Sequence, residues 1–111
     1  MAKISTIGLM SGSSLDGLDV AWCTFNFSDD YPDQLLDWQL HQGATIPYSK
    51  VWRHRLKEAP LLSGRDLWLL HTELGHYFGQ TVRDFIKANG ITADLVASHG
   101  HTVFHFPEQS T

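Results

Sequence analysis

Gly8-Leu9-Met10-Ser11-Gly12-Ser13-Ser14-Leu15-Asp16-Gly17-Leu18-Asp19 joins two apolar runs, Ile4 to Leu9 and Val20 to Phe27. Each run reads as a strand. The residues between them are small and hydroxylated. A turn of that composition brings several backbone N–H groups close to an anion, because Gly and Ser put little bulk in the way. The same spacing fits an ordinary hairpin closed by a Ser/Gly loop, since short glycine motifs arise by chance.

Beyond this turn, Gly17 to Phe27 alternates, with Leu18, Val20 and Trp22 on one face. The polar cluster Ser28-Asp29-Asp30-Tyr31-Pro32-Asp33 is a turn. Leu36, Trp38 and Leu40 then alternate with Asp37, Gln39 and His41, which predicts a strand with one wet face. Three strands on short turns predict an antiparallel meander. Pro47 suits the first turn of a helix, and Tyr48 to Glu58 is helix-compatible until Pro60. Ser63 and Asp66 have capping-box-like spacing, with Asp where Glu is preferred. Leu67, Leu70, Leu74, Phe78, Val82 and Phe85 or Ile86 make a helical stripe, and Asn89-Gly90 supplies a left-handed stop. Trp68, Tyr77 and Phe78 read as core rather than as a ligand platform. Leu95-Val96-Ala97-Ser98 predicts a short buried strand, and Thr102 to Phe106 suits another. No internal repeat, low-complexity tract or linker interrupts the pattern.

The chain has 111 residues, enough for one core. Its content of 42% hydrophobic and 12% aromatic residues argues for a folded chain. A formal net charge of −4 offers no basic patch for nucleic acid or an anionic membrane. The single cysteine, Cys23, has no internal disulfide partner and sits in a predicted strand, as a small buried apolar residue does. Met1-Ala2-Lys3 leads straight into the first strand, without a signal peptide or a bilayer-length apolar run, so a cytoplasmic location is expected.

A further chemical segment is Ser98-His99-Gly100-His101-Thr102-Val103-Phe104-His105. It begins where a strand following a helix ends, and ligands in α/β folds gather at such ends. Gly100 permits a sharp turn, and His99, His101 and Thr102 offer polar groups to a substrate. Histidines at alternate positions of a strand share a face, so zinc is another reading, with Glu108 the nearest carboxylate. Loop-packing histidines that serve structure alone are the third.

The two segments together carry a resemblance. The glycine-rich segment resembles the N-terminal signature of the anhydro-N-acetylmuramic acid kinases, G-L-M-S-G-T-S-L-D-G-I-D. The histidine segment is similar to that family's S-H-G-Q-T-V-F-H. Two long motifs in order are far more specific than either alone, and they anchor the two ends of the chain. The resemblance implies an α/β chain of the ribonuclease H-like, actin-like ATPase fold. In that superfamily a strand, small-residue turn and strand hold the phosphates of ATP. Residues 1–111 would be the N-terminal part of the first of two lobes: a three-strand antiparallel meander, helices and a following parallel strand.

The implied activity opens 1,6-anhydro-N-acetylmuramic acid with water and phosphorylates O6 from ATP, recycling cell-wall sugar. Carried over by position, Gly12, Ser13, Ser14, Leu15, Asp16, Gly17, Leu18 and Asp19 would meet the ATP phosphates. Asp16 would hold Mg2+ or its waters. His99, His101 and Thr102 would lie near the sugar. The implied partners are ATP and the anhydro-amino-sugar, with no nucleic acid or membrane, and a homodimer of the full-length protein. Ser13 departs from the usual Thr but keeps its hydroxyl. His101 departs from the usual Gln and adds a titratable group. Met10 stands where superfamily members often carry an Asp two residues before the loop Gly.

The family's chain is several times longer, and the resemblance puts its catalytic aspartate, second phosphate loop and nucleoside-binding segment beyond Thr111. The chain therefore reads as an N-terminal fragment that lacks its fifth strand and closing helix and is inactive alone, with exposed edges and apolar surface. Two other function classes use the same residues: an Hsp70-like chaperone-related ATP-binding module, since fold does not fix function, and a metal-dependent hydrolase built on the histidines. The chaperone needs a separate peptide-binding domain. The hydrolase needs stoichiometric zinc.

Overall fold

A computed structural model describes residues 2–12 and 14–104. Strand β1 spans Ala2–Ser11, β2 Gly17–Phe27 and β3 Leu35–Pro47. Helix α1 covers Lys50–Glu58 and runs into a 3-10 turn over Ala59–Leu61. Helix α2 covers Gly64–Asn89, and β4 covers Leu95–His101. The sheet order is β3-β2-β1-β4. The first three strands form the antiparallel meander, and β4 returns parallel to β1. No helix among the described residues is long and apolar enough to cross a membrane.

Alternation along β1 and β2 builds the core. Ile7, Leu9, Leu18 and Val20 point to one face, and Leu9 lies opposite Val20. The α2 stripe Leu74, Phe78, Val82 and Phe85 packs in the same cluster, with Tyr48, Leu56 and Ile91 closing its sides. Each such side chain contributes on the order of 1.5–3 kcal/mol by leaving water. The ends of α2 follow from its sequence. The Ser63 hydroxyl accepts the Asp66 amide at 3.1 Å, and Gly90 turns left-handed at φ 62. Asp94 locks the start of β4 to β1: its carboxylate accepts the Ser5 amide at 2.8 Å, and its own amide donates to the Ser5 carbonyl at 2.7 Å.

Several expectations are corrected. Pro47 ends β3 instead of opening a helix. It pairs with Gly17 at the sheet edge, where its missing N–H costs no ladder bond. Helix α1 starts later, capped by the Ser49 hydroxyl on the Trp52 amide. The outer part of β3 has two wet faces, because nothing described covers it: Leu36, Trp38 and Leu40 are all exposed. Trp68 is 69% exposed, lying one helical step off the stripe and stacking on His71. Leu95 and Val96 are exposed too, since among the described residues β4 is an edge strand paired only with β1. Cys23 is half-buried. Thr102–Phe104 form no strand. Ser13, His105, Phe106 and Glu108 lie outside the described residues.

Candidate functional site

The β1–β2 turn is shaped by its backbone. The Leu15 amide donates to the Gly12 carbonyl at 3.3 Å, and Leu15 adopts φ 59, which turns its side chain onto the core. A left-handed leucine costs on the order of 1 kcal/mol, offset here by that packing. Leu18 is fully buried and faces the core. Gly17 is pressed against β3: a Cβ there would stand 2.3 Å from the Ile46 carbonyl oxygen. By contrast, among the described residues a Cβ on Gly12 would meet only the end of Met10, at 3.9 Å. The sequence asked eight residues, Gly12 to Asp19, to meet phosphate. The side chains of Leu15 and Leu18 hold the turn to the core, and Gly17 lies close against β3.

The remaining polar groups open together. Gly12, Ser14, Asp16 and Asp19 line one hollow of about 360 Å3 with Met10 and Thr45. The Thr45 hydroxyl donates to Asp19 at 2.6 Å, and the Asp16 carbonyl accepts the Tyr48 amide at 3.3 Å. Two residues with carboxylates, Asp16 and Asp19, and two with hydroxyls, Ser14 and Thr45, thus line one mouth with Gly12. This donor set of hard oxygens suits a cation such as Mg2+, which takes one or two protein carboxylates and leaves positions for phosphate oxygens.

The end of β4 departs from simple alternation. Leu9 pairs with Ser98, but Ser11 pairs with His101, so two steps on β1 face three on β4. Gly100 absorbs this bulge at φ 79. The bulge sends the two histidines to opposite faces. His99 lines the open sheet face, a hollow of about 770 Å3 with Gly8, Met10, Ala21, Gly43 and Ala97. His101 turns to the helix side and joins a separate hollow of about 380 Å3 with Leu56, Leu70, Leu74, His71 and Phe104. The zinc reading required one shared face, and the bulge removes it. Among the described residues no three His, Cys, Asp or Glu side chains gather as a metal site.

His101 is held from below. Its Nδ1 lies 2.8 Å from the Ser11 hydroxyl, which lies 2.5 Å from the Tyr48 phenol oxygen. The Thr102 amide donates to the Ser11 carbonyl at 3.1 Å. Burial holds the His101 imidazole below its ordinary pKa, against a smaller opposing pull from the Ser11 backbone. Burial pushes the Tyr48 phenol up; its bond with Ser11 opposes this, and Tyr77 and Asp19 add smaller upward pushes.

Ser11 therefore ties the two motifs together at the end of β1, some ninety residues apart in sequence. Sequence reasoning assigned Ser11 no role. Its signal was present: Ile7, Leu9 and Ser11 share the core face, and a buried hydroxyl there requires partners. Tyr48 and Thr45 carried no such signal, because only the pairing of β3 with β2 brings them to the turn.

The family model described as "Anhydro-N-acetylmuramic acid kinase" matches residues 4–111. A protein named anhydro-N-acetylmuramic acid kinase from Pseudoalteromonas translucida is 33% identical over 92% of this chain and 26% of its own length. Namesakes from Synechococcus elongatus and Microcystis aeruginosa are 34% and 37% identical, over 94% and 91% of this chain and 27% and 26% of their own lengths. The chain spans about a quarter of the length of the curated relatives it matches.

Proposed function

The chain belongs to the anhydro-N-acetylmuramic acid kinase family, and from that premise we propose that it carries the phosphate-binding turn and part of the sugar site of such a kinase. The whole enzyme transfers the γ-phosphoryl group of ATP to O6 of 1,6-anhydro-N-acetylmuramic acid. Water adds at C1 and the anhydro bridge breaks there, which frees O6 to take the phosphoryl group as ADP leaves. Residues 1–111 are read as the N-terminal part of the first lobe of an actin-like fold, acting in the cytoplasm, where ATP is available.

One observation carries this reading: the two signatures converge on Ser11, through the 2.8 Å contact with His101 and the 3.1 Å bond from Thr102. A phosphate turn and a substrate segment have to adjoin for phosphoryl transfer, which depends on positioning more than on covalent chemistry. The roles divide accordingly. The Gly12 to Asp16 backbone offers amides to the phosphates. Asp16 and Asp19 repel bare phosphate and would hold a divalent cation; Mg2+ there would supply positive charge to offset that of the phosphate oxygens. Gly17 and Leu18 support the turn from behind. The sugar is read as lying across the end of β4, where His99 from the open face and His101 with Thr102 from the helix side each offer it hydrogen bonds. The general base that activates water and the nucleoside clamp are expected in the rest of the protein.

The test is an assay of the full-length protein with ATP, Mg2+ and anhydro-N-acetylmuramic acid, read by mass spectrometry. The expected product gains the mass of one water and one phosphoryl group. ATP hydrolysis with unaltered sugar, or sugar opening without phosphorylation, would overturn the reading. The 111-residue chain alone should form no product.

A further inference from the structure

We propose that Tyr48 and Ser11 are positioning residues that set the polarity of the His101 ring, making Nδ1 an acceptor and Nε2–H the one donor left for substrate. This deepens the kinase reading and rests on it, since it takes His101 to lie at the sugar.

The argument is a count of protons. Tyr48 and Ser11 have one hydroxyl proton each, and the three groups stand in line at 2.5 and 2.8 Å. If the phenol donates to Ser11, the Ser11 proton is free to donate to Nδ1, which must then be bare. Both hydroxyl protons have acceptors in that arrangement, and Nε2–H is left for substrate. In the reverse arrangement Nδ1–H donates to Ser11 and Ser11 donates to the phenol. The Tyr48 proton then needs another acceptor, and its hydrogen bond among the described residues is the one to Ser11. Tyr48 is 4% exposed, and leaving its proton unpaired there is costly. The Ser11 carbonyl is a second acceptor near the ring, with a lone pair to spare beside the Thr102 amide, so the buried phenol proton is what decides between the two arrangements.

Tyr48 is the element that fixes the direction. Its ring is anchored in the core and against Tyr77, at 5.9 Å between centroids, so its hydroxyl cannot swing away. Ser11, also fully buried, passes the direction on. Without the phenol, the Ser11 hydroxyl can either donate to Nδ1 or accept from it, and the ring divides between two tautomers. A glutamine at position 101 suits the same polarity, since its oxygen accepts from Ser11 while its amide N–H donates outward.

The experiment labels histidine with 15N in the full-length protein and reads the ring nitrogens of His101 at neutral pH, assigned by comparison with His101→Gln. Nδ1 should resonate as an unprotonated nitrogen and Nε2 as a protonated one. In Tyr48→Phe, which keeps the packed ring, the two shifts should move toward each other. The KM for anhydro-N-acetylmuramic acid should rise about twofold with kcat nearly unchanged, as the donating tautomer falls to about half of the population. A protonated Nδ1 in the parent, or ring shifts that stay put in Tyr48→Phe, would overturn the polarity. Moved ring shifts with an unaltered KM would instead overturn the placing of His101 at the sugar, and so separate the two ideas.

Discussion

The β1–β2 turn and the end of β4 flank the same residue, Ser11, yet they are built in opposite ways. In the turn, side chains point inward and support the loop, with Leu15 and Leu18 toward the core and Gly17 against Ile46. Gly12, Ser14, Asp16 and Asp19 line the hollow. At the end of β4 the backbone bulges at Gly100 and the side chains, His99 and His101, part to two faces. Half of a glycine-rich motif can thus be scaffold, and a pair of histidines two apart can serve two different surfaces.

The strongest way to break this comparison is to exchange the roles of the two turn glycines. Gly17→Ala drives a methyl into the Ile46 carbonyl, a backbone atom that cannot rotate aside. It should cost about 3 kcal/mol, lowering the Tm of the full-length protein by up to about 10 °C. Gly12→Val has room in the fold, and should leave Tm nearly unchanged. A β-branched side chain there crowds the phosphates, and ATP affinity should fall about tenfold, near 1.4 kcal/mol. Calorimetry and nucleotide titration of both full-length variants check the pair. A stable Gly17→Ala protein, or full nucleotide affinity in a folded Gly12→Val protein, would erase the division between scaffold and site.

That division also marks what the sequence could reveal. Local rules located α2 well, because the Ser63 cap, the stripe from Leu70 to Phe85 and Asn89-Gly90 are all short-range signals. The meander was legible from the alternation in β2. Non-local facts were not. Pro47 reads as a helix start until its pairing with Gly17 is known. Leu95 and Val96 read as buried until β4 proves to be an edge. His99 and His101 share a face by alternation, and only the register against β1 reveals the bulge. The two motifs were visible; Ser11 as their junction was not, because its partners lie on other elements.

Substitutions at the two histidines sharpen the comparison at the β4 end. His99→Ala in the full-length protein should raise the sugar KM about fivefold, the loss of roughly 1 kcal/mol for one neutral hydrogen bond. His101→Gln should be tolerated, because the amide both donates and accepts. Neither variant should acquire a dependence on added zinc. Steady-state kinetics with and without a zinc-selective chelator checks this. Lost activity in His101→Gln together with stoichiometric zinc in the parent would restore the shared metal site that the bulge argues against.

The smallest effect separates the two faces by pH. Burial lowers the pKa of His101 in the folded protein from its ordinary 6.5. Between the lowered value and 6.5 the unfolded chain binds a proton that the folded ring refuses, so stability rises with pH across that window. The contribution is whole above about pH 6.5 and is lost as pH falls through the lowered value. Protonation also puts a hydrogen on Nδ1, facing the Ser11 hydroxyl that donates to it, so the chain back to Tyr48 has to reverse. Other histidines titrate nearby, and the quantity to measure is therefore a difference. Thermal unfolding of the parent and of His101→Gln should be compared from about pH 7.5 down to 5. The parent should lose more Tm than the glutamine variant, by less than the Gly17→Ala effect. His99 stands on the open face away from Ser11, and His99→Ala should leave the parent's slope in place. Equal slopes in the parent and His101→Gln would mean that the His101 ring is not held neutral by its surroundings, and an altered slope in His99→Ala would mean that the two faces are coupled.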